Sequence, residues 1–170
     1  MKELTKKEAI VKLIKDIAML KWDYGKKEAI ALVAQAMLEC GNGLNSGYVK
    51  KYNNLFGMNH PSKRPSLSFK SEGGEYGTAA NYKTLAESVE DRILWDKYNQ
   101  INPNNTKPPI YLNYIQKVCG AGYNPTPLKY SNEWYNKITA VYPILKSIEI
   151  KTKQLELSNI DEYKPTRNRQ

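Results

Sequence analysis

"KKEAIALVAQAMLECGNG", residues 26–43, decides how this chain is read. From Ala29 to Cys40 its only polar side chains are Gln35 and Glu39. The run carries no proline or glycine until Gly41, so it predicts one helix over 26–40 that is apolar around nearly its full circumference. Such a helix belongs in the middle of a fold. Gly41 is placed to stop it in a left-handed cap. Gln35 and Glu39 lie four residues apart and share one face, which must therefore open onto something polar.

Working outward, "TKKE" from Thr5 is a capping box. Behind it Ile10, Leu13, Ile14 and Ile17 mark an amphipathic helix to about Leu20. That opening is charged throughout and reads as a helix rather than a secretion signal. Residues 41–65 read as loops around one short helix. "PSLSFK" and "GTAANY", joined by "SEGGEY", read as a small hairpin. "TLAE" from Thr84 is a second capping box, opening a helix to about Tyr98. "NQINPNNTKPP" is a loop, "IYLNYIQKVC" a shorter helix and "GAGYNPTP" a turn. A last helix is expected from about Asn132 to Tyr142, with Pro143 kinking or ending it. The pattern is α+β and mainly α: a catalytic-sized unit over 1–148 and a polar C-terminal tail or contact arm over 149–170.

Composition narrows the function classes. At 170 residues and 41% hydrophobic, the chain forms one domain with a real core. A formal charge of +9 attracts polyanions, either nucleic acid or the anionic polymers of a bacterial wall. The basic residues are scattered rather than gathered on one helix, which argues against nucleic acid as the partner. One histidine and two cysteines, Cys40 and Cys119, supply neither a metal cluster nor a disulfide framework. No metal, cofactor or membrane span is expected.

Glu39 carries the chemistry. Apolar neighbours disfavour its charged form, and so does the negative end of the helix dipole in the last turn. A glutamate held neutral near pH 7 suits a general acid. From spacing alone, a helix-end cap or a lysine partner explains it equally well.

Four landmarks in order resemble the glucosaminidases of glycoside hydrolase family 73, peptidoglycan-cutting enzymes of the lysozyme-like superfamily. They are "AQAMLECGNG", "YNNLFGMN", "YKTLAESVEDRILW" and "GYNPTPLKYSNEWYNKI". Leu38-Glu39-Cys40-Gly41-Asn42-Gly43 stands where that family has Leu-Glu-Ser-Gly-x-Gly. Tyr82, Ser88 and Asp91 keep its Tyr-x5-Ser-x2-Asp spacing, and Gly122-Tyr123 its Gly-Tyr turn. The likeness covers roughly residues 29–145. It implies a lysozyme-like helical domain with a β-hairpin lobe flanking a cleft, and Glu39 as catalytic acid. Glu72 or Glu75, at the hairpin tip, is the expected catalytic helper. Gln35, Asn54, Phe56, Tyr82 and Tyr123 are the expected substrate-binding residues.

Cys40 in place of serine, Asn42 in place of a common tryptophan, and a short hairpin depart from the pattern. They leave room for a wall-binding or virion module with little turnover, or for a lytic transglycosylase. The expected partner is the peptidoglycan glycan strand, with other virion proteins reached through the tail. A bacteriophage source is expected, the protein acting at the cell wall from a virion or from the host cytoplasm.

Overall fold

In the computed structural model, which describes residues 3–60, 69–70 and 79–162, the chain is a helical assembly around one central rod. That rod is α2, Lys26–Cys40, with the bounds its composition predicts. Every residue from Glu28 to Met37 is buried, so α2 needs neighbours on all sides. They are α1 (Lys6–Asp16), α5 (Ile110–Gly120) and α6 (Pro127–Glu162). The indole N–H of the fully buried Trp134, on α6, donates to the Ala31 carbonyl of α2 at 2.7 Å.

The capping box at Thr5 forms in both directions, with N···O distances of 2.9 and 3.1 Å. After α1 the chain widens into a π-helical turn, Ile17–Lys21, before α2 begins. Beyond α2 come α3 (Gly47–Tyr52), β1 (Phe69–Lys70), β2 (Ala80–Asn81) and α4 (Leu85–Tyr98). The strands pair antiparallel, Phe69 opposite Asn81 and Lys70 opposite Ala80, and Asn59 bridges to Ala79. This small ladder on a helical body fits the mainly-α, lysozyme-like fold. The hairpin tip with Glu72 and Glu75 lies outside the described residues. At Thr84 only half of the expected box forms: its hydroxyl accepts from Glu87 N–H, while the Glu87 carboxylate reaches Lys83 N–H instead.

Three further expectations change. Gly41 has φ +80° and ψ 162°, a positive-φ extended residue rather than a left-handed helical cap. α6 starts five residues before Asn132. Pro127 takes its first position, where a missing N–H costs nothing, and the Asn124 side chain accepts from Thr126 N–H just upstream. Nor does Pro143 end α6, which runs on to Glu162. Packing holds it past the proline: Ile148 is buried in the core. Ser147 Oγ and Lys151 Nζ both donate to the Glu8 carboxylate, each at 2.5 Å. The segment read as a tail from 149 is therefore helical to 162 and docked through Lys151.

These donors to Glu8, Lys151 foremost and then Ser147, pull its pKa down to about 2. With the folded value below the unfolded one, the clamp stabilises fully above about pH 4.5 and is lost as pH falls through about 2. Glu8→Gln is expected to lower the thermal midpoint at pH 7 and to flatten its fall between pH 4.5 and 2. Unfolding curves across that range read both effects.

Candidate active site

The site begins at the C-terminal end of α2. Glu39 is half-buried in the last turn, and Cys40 after it is enclosed. The segment following α3 is tied down beside them from several directions. Asn54, fully buried, donates through Nδ2 to the carbonyls of Met58 (2.9 Å) and Ala80 (3.0 Å), and its Oδ1 accepts from Met58 N–H. Leu55 N–H donates to Ser88 Oγ on α4 at 3.0 Å. The Cys40 thiol reaches the carbonyls of Asn54 and Leu55 at 3.4 and 3.2 Å, and Tyr123 O–H donates to the Phe56 carbonyl at 2.5 Å.

All of this delivers Gly57 against Glu39. A side-chain carbon on Gly57 would fall 2.4 Å from Oε2 of Glu39, and its φ of +63° already disfavours any other residue. The Asn-Leu-Phe-Gly turn is thus a wall built against the carboxylate. Gly57→Ala is expected to displace Glu39 and to lower turnover by about 10²-fold, the scale of a 1 Å misplacement. Release of dye from labelled wall measures it.

The other side of Glu39 is polar and enclosed. Tyr130 O–H, from α6, donates to Glu39 Oε1 at 2.7 Å. Gln35 Nε2 donates to the Tyr130 hydroxyl at 3.0 Å, and Arg92 Nε, from α4, donates to Gln35 Oε1 at 2.8 Å. Behind it, Arg92 Nη1 pairs with Asp96 Oδ1 at 2.6 Å, both side chains fully buried. Tyr24 and Tyr114 donate their hydroxyls to the other oxygen of Asp96, at 2.6 and 2.5 Å. The Arg92 guanidinium also lies against the rings of Tyr123 and Trp95, 4.9 and 5.4 Å from their centroids. A buried charge needs this degree of pairing.

Burial raises the Glu39 pKa above the ordinary glutamate value, while the Tyr130 hydrogen bond and the nearby Arg92 charge oppose the rise. Its carboxyl therefore keeps a proton to higher pH than an ordinary glutamate. Among the described residues its hydrogen-bond partner is a tyrosine, Tyr130, rather than a lysine. The Cys40 thiol is pushed up to about 11 by burial, so it is an inert donor in the place of the serine hydroxyl. Cys40 and Cys119 are both free.

Several expected substrate-binding residues prove to be framework. Gln35, Asn54 and Phe56 have no exposed surface, and Tyr82 keeps only 2%. Gln35 links Arg92 to Tyr130, Asn54 folds the turn, and Phe56 packs in the core. Tyr82 O–H donates to buried Asp91, so the Tyr82–Ser88–Asp91 spacing is a packing device that holds α4 to the turn. None of these four side chains is open to a glycan. Tyr123 is half-buried at the site, its ring stacked on Tyr130 with centroids 6.0 Å apart. Sequence reasoning missed Tyr130, Arg92 and Asp96. The available signal was Arg92 and Asp96 four apart in an otherwise apolar helix face.

Residues 16–147 match the sequence profile of the glucosaminidase family, described as mannosyl-glycoprotein endo-beta-N-acetylglucosaminidase. The chain belongs to the glucosaminidase family. As a glucosaminidase it is a glycoside hydrolase, with peptidoglycan the implied substrate. The matched span runs from the end of α1 to the middle of α6, so it takes in Glu39 and every residue hydrogen-bonded to it. Neither a curated protein nor a solved structure matches the chain. Among the described residues of this glucosaminidase no cluster of metal-ligating side chains occurs, and no helix is long and apolar enough to cross a membrane.

Proposed function

We propose that the protein is an endo-β-N-acetylglucosaminidase that cleaves the β-1,4 bond after N-acetylglucosamine in peptidoglycan, with Glu39 as the proton donor. The observation that carries this is the asymmetry of the Glu39 carboxyl. Oε1 is held by Tyr130, whereas Oε2 accepts no hydrogen bond from Tyr130 and lies beside Gly57, whose lack of a side chain is what lets the carboxyl sit there. A carboxyl favoured in its neutral form by burial can hand its proton to the bridging oxygen as the glycosidic bond breaks. The positive charge developing on the sugar then needs an anion or a nucleophile: a second carboxylate, for which Glu72 and Glu75 are the candidates, or the substrate's own N-acetyl group. The +9 charge supports association with an anionic wall. The wording of residues 51–58 and 88–95 supports a phage or Bacteroides-type source and action on the wall from a virion or a lysin.

Mass spectrometry of digested, borohydride-reduced peptidoglycan tests the reading. The expected new ends are reduced N-acetylglucosamine. Reduced muramic acid would make the protein a muramidase, and anhydro-muramic ends a transglycosylase. Binding without fragments at any pH would leave a wall-binding module.

A further inference from the structure

We propose that Tyr130 and Gln35 are positioning residues, polarised by buried Arg92, that confine the transferable proton of Glu39 to Oε2, the oxygen facing Gly57. The proposal rests on the reading of Glu39 as proton donor and adds where on the carboxyl the proton sits and what keeps it there.

The argument is one of hydrogen-bond direction. A guanidinium has donors and no acceptor. Arg92 Nε therefore requires the oxygen of the Gln35 amide, which fixes the orientation of that amide without ambiguity. Gln35 Nε2 must then face Tyr130 and donate to it, 3.0 Å away. With one lone pair taken, the Tyr130 hydroxyl directs its hydrogen to its remaining partner, Glu39 Oε1 at 2.7 Å. A proton on Oε1 would leave only the weaker acceptor of a hydroxyl oxygen for the Tyr130 hydrogen. On the neutral acid Oε2 is therefore the favoured site. The chain cannot invert, because its origin is a cation paired with Asp96 and enclosed on every side.

Two consequences follow for the reaction. The glycosidic oxygen must reach Oε2 past the edge of the turn that packs Gly57 beside it. The relay also opposes the effect of burial on the Glu39 carboxyl, through the Tyr130 hydrogen bond and the Arg92 charge. Among the described residues, the charged or titratable groups acting on Glu39 are Tyr130 from α6 and Arg92 from α4, and Cys40 beside it on α2 feels its charge. Tyr123, from the turn before α6, acts on Tyr130.

The test is Tyr130→Phe, which keeps the ring between Tyr123 and Trp134 and deletes only the hydroxyl. The side-chain carboxyl of Glu39 is followed by 13C NMR against pH in parent and variant, beside the pH profile of kcat/KM. Loss of the donor should move the titration midpoint of Glu39 up by about one pH unit, and the basic limb of the profile with it. An unmoved midpoint in a folded variant overturns the proposal. Should Tyr130→Phe fail to fold, Gln35→Glu serves. It still accepts from Arg92 but no longer donates to Tyr130, and the same upward movement is expected; no movement again overturns it. The two readings separate cleanly. A shifted midpoint in proteins that cut no glycan upholds the relay and sinks the hydrolase, whereas cleavage with an unshifted midpoint does the reverse.

Discussion

Replacing Glu39 with glutamine is expected to lower glycan cleavage by about 10²–10⁴-fold, the usual contribution of a general acid, without lowering stability at pH 7. The second half of that expectation separates a catalytic from a structural carboxyl. Burial lifts the folded pKa of Glu39 above its unfolded value. A group of this kind contributes stability that is fully present below the unfolded pKa and lost as pH rises through the folded one. Glutamine, neutral throughout, keeps that contribution at neutral pH. The variant should therefore melt at or above the parent temperature at pH 7, and close to it at pH 4. Were Glu39 a structural ion-pair partner, the variant would melt lower at pH 7 and retain activity. Wall-clearing rates and thermal unfolding, on the same preparations, decide between these.

Arg92→Met should have the largest effect on the fold. The substitution fills similar volume but leaves Asp96 charged and fully enclosed, with only Tyr24 and Tyr114 to stabilise it. Breaking a buried pair in this way costs about 3–5 kcal/mol. For a domain of this size that corresponds to a thermal midpoint lower by roughly 6–20 °C, read by circular dichroism. Arg92→Lys should recover only part of the loss. A lysine restores the charge but not the fork that reaches Asp96, Gln35 and Tyr114 together.

These two residues also mark how far the sequence could be read. α2 was legible to the residue because its apolar run is bounded by Gly25 and Gly41, and Glu39 stood out within it by contrast. The capping box at Thr5 and the extent of α4 were equally local signals. What could not be read were features set by contacts distant in the chain. α6 continues through Pro143 because Glu8, about 140 residues earlier, holds its far half. Asn54, Phe56 and Tyr82 carry motif spacing that looks like a binding surface. In space that spacing serves to press one turn against one carboxylate. The Arg92–Gln35–Tyr130 relay draws on three helices, and no single segment announces it. Tyr130 itself falls between the turn read over 120–127 and the helix expected from about Asn132, until the proline at position 127 is recognised as the first residue of α6.

The central claim is that cleavage depends on the protonated form of Glu39. Its most direct test is to superimpose the basic limb of the kcat/KM profile on wall glycan and the 13C titration of the Glu39 carboxyl, measured on the same protein. The two midpoints should coincide, both above the ordinary glutamate value. Cleavage that continues undiminished at pH values where Glu39 is fully ionised would contradict the account.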